Sequence, residues 1–208
     1  MTDLASKEWM QKISNFKFQI SNYQEVIVCP SYTLLPILKS YILNHKSKIE
    51  LGAQDISAYP QGAYTGEVNG KQIAEFAKYV LIGHSERREY FKETEDMVAK
   101  KVHMALKNNI KPIVCVENEE TPIPLGVALV AYEPVGAIGS GNADTPDNAE
   151  SVAKAIKETH KQVMGVLYGG SVTAENVKSF TAQEHIDGVL VGKASLDPQV
   201  FSRIIQNA

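Results

Sequence analysis

Cysteine is scarce in this sequence, long apolar runs are missing from it, and each shortage excludes a class of protein. There are two cysteines, Cys29 and Cys115, each near the end of a short apolar run of strand type. Disulfide frameworks and cysteine-based metal sites need other spacings, so both are expected as buried free thiols of a protein in a reducing cytoplasm. No apolar stretch approaches the roughly 20 residues of a membrane-spanning helix. The N-terminus lacks the basic-then-apolar layout of a secretory signal. A net charge of -3 over 208 residues leaves no basic stripe for nucleic acid. Low-complexity linkers and short solenoid repeats are also wanting. What is left is an ordinary globular composition, 44% hydrophobic and 22% charged. The chain is long enough for one full core and short for two, so a single domain spanning 1–208 is expected.

What recurs along the chain is a short apolar run followed by a helical pattern. The runs are Val26–Cys29, Ile49–Gln54, Tyr79–Ile82, Ile113–Val116, Val127–Tyr132, Val166–Tyr168 and Val189–Val191. They are β-branched and flat in periodicity, as parallel strands buried on both faces are. Between them, Thr145-Pro146 and Asp197-Pro198 each set a capping side chain before a proline at the first helical turn. Val152, Ala153 and Ile156 form the apolar stripe of the first of these helices, and Phe201, Ile204 and Ile205 that of the second. Thr173 is placed to cap a helix through Val177. A helix comes first in the chain, with Ala5, Trp9, Ile13 and Phe16 on one face. Repeated strand–helix order predicts an α/β fold, either a closed barrel or an open doubly wound sheet. One connection breaks the rhythm. Between Cys115 and Glu133 the residues Pro122 and Pro124 exclude a helix, so two strands are joined there by a loop alone.

Chemistry-bearing residues fall at strand ends. Gly83-His84-Ser85-Glu86-Arg87-Arg88 places His84 just beyond the run Tyr79–Ile82, where parallel α/β folds gather their ligand sites. A structural histidine bonded to a neighbouring strand is the plainer alternative for this segment alone. His45, His103, His160 and His185 lie in helices or loops and suit surface roles. Ala131-Tyr132-Glu133-Pro134 ends another run with a carboxylate, which a dry pocket would turn into a stronger base. A salt-bridged acid at a strand-to-helix turn has the same local sequence. The following stretch, Pro134–Gly141, contains Gly136, Gly139 and Gly141 and has the freedom of a lid. Tyr168-Gly169-Gly170-Ser171-Val172 and Leu190-Val191-Gly192-Lys193-Ala194-Ser195 close the last two runs, and glycine turns there expose backbone N–H groups to an anion.

Taken together, these segments resemble the triosephosphate isomerase family over nearly the whole chain from Val26 onward. The resemblance rests on Val28-Cys29-Pro30-Ser31, Gly62-Ala63-Tyr64-Thr65-Gly66-Glu67, Gly83-His84-Ser85-Glu86-Arg87-Arg88, Ala131-Tyr132-Glu133-Pro134-Val135, Tyr168-Gly169-Gly170-Ser171-Val172 and Gly188-Val189-Leu190-Val191-Gly192, in that order. It implies a (β/α) barrel and interconversion of dihydroxyacetone phosphate and D-glyceraldehyde 3-phosphate through an enediolate, a step of glycolysis and gluconeogenesis. By resemblance, Glu133 is the base that moves the carbon-bound proton and His84 is a neutral imidazole that polarises the carbonyl, as is established for this family. Glu86 would organise the site, and Gly139, Ser171, Gly192, Lys193, Gly169 and Gly170 would surround the phosphate. The stretch Pro134–Gly141 would close over the intermediate. No metal and no organic cofactor is implied, since a base, an acid and fixed dipoles suffice. The segment Gln54–Glu67, with Thr65 and Gly66 at its tip, resembles the loop through which the family dimerises, so a homodimer is expected. Nucleic acid and membrane partners are not.

The chain also departs from the family pattern. An Asn-Trp-Lys signature belongs to the family's first strand, but Met1-Thr2-Asp3-Leu4 starts where that signature should already have ended. Asn15-Phe16-Lys17 resembles the triplet but ends a helical pattern. The barrel is therefore expected in shortened form, with seven strands, without the first strand and without the helix after the fifth family strand. A start codon upstream of Met1 would explain the first of these losses. Glu117 and Asn118 stand where the family has glycine and glutamate. Gly136 replaces a tryptophan and should loosen the lid hinge, while Lys193 replaces a glycine and should be strained if its backbone is left-handed. Two competing readings follow from the missing lysine and from Lys193. One is a silent barrel that only binds sugar phosphate or assembles, and the other is an aldolase with Lys193 as its Schiff-base lysine.

Overall fold

The computed structural model describes residues 2–15, 25–45, 47–134, 136 and 143–208. Its elements in chain order are α1 (Asp3–Asn15), β1 (Ile27–Val28), α2 (Leu35–His45), β2 (Glu50–Ala53), α3 (Gly70–Ala74), β3 (Tyr79–Ile82), α4 (Ser85–Tyr90), α5 (Glu95–Lys107), β4 (Lys111–Val116), β5 (Leu129–Tyr132), α6 (Pro146–Thr159), β6 (Gly165–Tyr168), α7 (Val177–Thr181), β7 (Gly188–Val189) and α8 (Pro198–Asn207). All seven predicted strands form. Two compact units contain them: Met1–Ile82 with Ala99–Pro112, and Gly83–Val98 with Ile113–Ala208.

In the first unit β1, β2 and β3 pair in parallel, Ile27 with Glu50 and Gly52 with Tyr79. The strands approach closely because Gly52 has no side chain: a Cβ there would lie 2.6 Å from the Cys29 sulfur. Neither cysteine is in a disulfide; Cys115 is buried and Cys29 half-buried as a residue. Burial pushes the Cys29 thiol up to about 12, so it stays protonated and inert. Helix α1 forms as the apolar spacing predicts, but its buried face consists of Ser6, Trp9, Met10 and Ile13, and Ala5 is exposed. Ala5 sits one position around the helix from Ser6, and the larger Met10 draws the buried stripe to that side. Phe16 lies outside the described residues, as does most of the Asn15-Phe16-Lys17 triplet.

The second unit holds β5, β6, β7 and β4 from Ile113 on, paired in parallel. Val116 is opposite Tyr132, Tyr132 opposite Tyr168, and Tyr168 opposite Val189. The C-terminal ends of three buried strands thus sit side by side. No helix forms between β4 and β5. Instead Thr121 accepts the N–H groups of Glu117 and Asn118, a turn that the two following prolines continue. The caps of α6 and α8 form as expected: Thr145 accepts the Asn148 N–H, and Asp197 accepts those of Gln199 and Val200. Thr173 differs. It accepts the N–H groups of Glu175 and Asn176 and so caps a turn, while α7 starts later, at Val177.

Candidate active site

The site grows out of a sharp turn. Gly83 has φ 71°, a left-handed conformation that a side chain would resist, and a Cβ there would meet Arg88 and Val98 at 3.0 Å. The turn is held from inside by Arg88, whose Nε donates to the Gly83 carbonyl at 2.7 Å and whose Nη2 donates to the Cys115 carbonyl at 3.3 Å. A Glu95 carboxylate pairs with the same guanidinium. Next to it, Arg87 Nε donates to the buried Glu93 carboxylate at 3.2 Å. These anchors fix the start of α4, and His84 is its N-cap.

His84 is oriented by the helix it caps. Its Nδ1 accepts the Glu86 backbone N–H at 3.3 Å, so that nitrogen carries no proton and the imidazole N–H is on Nε2. Nε2 lies 3.1 Å from Glu133 Oε1. The other oxygen of Glu133 accepts the Ser85 N–H at 2.9 Å. Glu133 itself extends β5, its N–H donating to the Val116 carbonyl at 2.8 Å. Its side chain is 2% exposed, whereas that of His84 is 27% exposed. Burial raises the Glu133 carboxyl above the ordinary carboxylate range; His84, the Ser85 amide and the Cys115 thiol pull it partly back. A carboxylate buried this far, with no ammonium or guanidinium bonded to it, is a stronger base than one in water.

Room for that side chain comes from a glycine. A Cβ on Gly169 would lie 2.9 Å from Glu133 Cγ, and the Gly169 N–H donates to the Tyr132 carbonyl at 2.7 Å. Gly170 is required for a different reason, since the Tyr168 hydroxyl lies 2.1 Å from where its Cβ would be. The half-buried Ser171 has its carbonyl held by Asn176 Nδ2 at 2.9 Å. The Leu190 N–H donates to the Tyr168 carbonyl at 2.9 Å, which carries the chain on to Gly192 and Lys193 beside the same strand end. Gly192 faces open space, and its carbonyl accepts both the N–H and the hydroxyl of Ser195.

The sequence-predicted residues are therefore brought together unevenly. His84 and Glu133 meet directly, and Gly169 touches Glu133. Glu86 stands apart: its carboxylate is 69% exposed and 3.9 Å from His84 Nδ1. Lys193 is exposed and opens a short 3-10 turn, and it is not left-handed; among the described residues only Lys92 and Asn109 combine a side chain with positive φ. The strain expected at Lys193 is absent because Gly192 takes the turn with φ -83° and ψ -118°. Gly136 takes φ 95°, a conformation that would strain a tryptophan. Gly139 lies outside the described residues, as do Val135 and 137–142 of the glycine-rich stretch. In the first unit, Thr65 and Gly66 fall in an exposed run, 59–67, with Tyr59 and Tyr64 stacked at 4.6 Å. His185 is not a plain surface residue, since it is half-buried with Nδ1 2.5 Å from Glu150 Oε1. Glu150, His185 and Glu184 have donor atoms within 4.8 Å of one another, but the Glu150–His185 pair and Lys157 already account for those charges. The reading of the sequence missed the Ser85 amide and Arg88 as supports, although both stand in the motif that carries His84.

A family model for triosephosphate isomerase matches residues 1–208 of the chain. The chain belongs to the triosephosphate isomerase family. The triosephosphate isomerase of Leifsonia xyli subsp. xyli is 41% identical, over 88% of this chain and 82% of that protein. That of Mesomycoplasma hyopneumoniae strain 7448 is 34% identical, over 98% of this chain and 93% of that protein. That of Caldanaerobacter subterraneus subsp. tengcongensis is 40% identical, over 87% and 85%. Within each unit the strands are parallel, which accords with the shortened (β/α) barrel expected of a triosephosphate isomerase family member.

Proposed function

We propose that the chain is a triosephosphate isomerase, an enzyme that interconverts dihydroxyacetone phosphate and D-glyceraldehyde 3-phosphate by moving one proton between neighbouring carbons. The observation that carries this reading is the 3.1 Å approach of His84 Nε2 to the buried Glu133 carboxylate at adjoining strand ends. In the reaction Glu133 removes the proton from one carbon and returns it to the other. His84 donates its Nε2 hydrogen bond to the substrate oxygen, where negative charge develops. Both Glu133 oxygens are engaged in this structure, by His84 and Ser85, so the carboxylate must exchange a partner for the substrate carbon. Its raised pKa brings it closer to the strength the abstraction needs.

The phosphate fits the glycine turns beyond β6 and β7. Gly169, Gly170, Ser171 and Gly192, with Gly139 and Lys193, are its proposed surroundings, and glycines let the backbone come close to an anion. Glu86 serves at the edge of the site, next to the imidazole it helps orient through its amide. The exposed run 59–67 supports a homodimer formed through Gln54–Glu67. We place the enzyme in the cytoplasm and in glycolysis and gluconeogenesis, as one domain over 1–208. No helix among the described residues is long and apolar enough to cross a membrane. A coupled assay on the purified chain tests the reading. Turnover of dihydroxyacetone phosphate that disappears on replacing Glu133 supports it; absent turnover with retained phosphate binding makes the chain a silent binder.

A further inference from the structure

One carboxylate outside the reacting groups ties together the two strand ends that carry them. Asp144 stands just before the N-cap of α6. Its Oδ2 accepts the Tyr132 hydroxyl at 3.1 Å and the Asn148 side-chain amide at 2.7 Å, and its Oδ1 accepts the Thr145 N–H at 2.8 Å. Its own N–H donates to the Tyr168 hydroxyl at 2.8 Å. Tyr132 and Tyr168 are opposite one another in the last rung of β5 and β6. Each immediately precedes a site residue, Glu133 in one case and Gly169 in the other. The Tyr168 ring is stacked on Phe180 at 3.9 Å, and its hydroxyl fills the space of the missing Gly170 side chain. Both phenols are buried, and burial together with the Asp144 carboxylate pushes Tyr132 above its ordinary value, so it remains a donor.

We propose that Asp144 is a positioning residue for the isomerisation, its carboxylate holding the Tyr132 hydroxyl so that Glu133, and Gly169 bonded to the Tyr132 carbonyl, keep their places. The proposal rests on the isomerase reading above and adds to it a residue that touches no substrate. Removing the carboxylate leaves the Tyr132 hydroxyl buried without this acceptor, and the favourable relaxation is toward water. Main-chain movement of Tyr132 carries Glu133 with it, and proton abstraction is steeply sensitive to such displacement.

Three variants test this. Asp144→Ala is expected to lower kcat about tenfold, while Asp144→Asn, whose amide oxygen still accepts from Tyr132, stays within about threefold of the parent. Tyr132→Phe keeps the ring, loses about threefold, and remains measurable if Asp144→Ala does not fold. Amide hydrogen exchange at 168–171 is expected to speed up in Asp144→Ala and not in Asp144→Asn. A kcat for Asp144→Ala within twofold of the parent overturns the proposal, as do equal losses in the Ala and Asn variants that track their Tm values. An inactive parent chain overturns the isomerase reading instead. Unchanged exchange at 168–171 in Asp144→Ala overturns the clamp whatever the turnover.

Discussion

Two acids follow strands in this molecule and meet different fates. Asp55 comes two residues after β2 in the first unit, and Glu133 comes one residue after β5 in the second. Asp55 faces Lys101 at 2.6 Å, with side chains 14% and 5% exposed, so a full positive charge neutralises it. Glu133 is buried deeper, at 2%, and faces the His84 imidazole, the Ser85 amide and the Cys115 thiol rather than an ammonium. The first arrangement removes the cost of burying a charge, and the second leaves part of it in place. The proposed chemistry falls to the second because an acid satisfied by an ammonium is a weak base.

The largest effect should come from the acid without an ionic partner. Glu133→Gln is expected to lower kcat by about a thousandfold or more, because no other carboxylate is bonded to Ser85 and His84 in its place. A loss of less than tenfold would mean that Glu133 is structural. The comparison predicts the opposite outcome for the paired acid. Lys101→Met should destabilise the fold by about 3 kcal/mol by removing the ammonium that faces Asp55, and adding Asp55→Leu should recover most of that, as denaturant unfolding would show. If the single variant unfolds at the parent's midpoint, the pair is idle. His84→Gln should cost about a hundredfold in kcat with little change in stability, since the imidazole is partly exposed and its proposed work is donating one hydrogen bond. Parallel losses of activity and Tm would place His84 in the core instead.

The smallest effect concerns stability and pH. Because the folded-state value of Glu133 is raised, the folded chain holds this proton more tightly than the unfolded one. The stability it contributes is present below the ordinary carboxylate value and is lost as pH rises through the folded one. Glu133→Gln should therefore raise Tm at pH 7 by roughly 2–4 °C, and the gain should vanish in acid. A gain that grew on acidification would reverse the sign of the shift.

Much of this was legible in the chain. Seven β-branched runs became seven parallel strands, and the Thr145 and Asp197 caps formed where a capping side chain precedes proline. Helix α1 was legible in its span but not in its buried edge, because spacing marks a stripe and neighbours choose which flank of it is covered. Thr173 shows the same limit, since a threonine suits a turn as well as a helix start. At the site, the motifs singled out His84, Glu133 and the glycine turns. They did not reveal that Gly169 makes room for Glu133, that Gly170 yields to Tyr168, or that Asp144 joins two strands.

By itself the sequence determined the alternation of strand and helix, the residue types at the strand ends, and the family. These depend on local spacing and side-chain chemistry, which each segment carries with it. Only the tertiary structure decided which acid is left without a cation, how far Glu86 stands from the imidazole, and which nitrogen of His84 faces the carboxylate. Those depend on desolvation and on distances between segments far apart in the chain, and no segment contains that information alone.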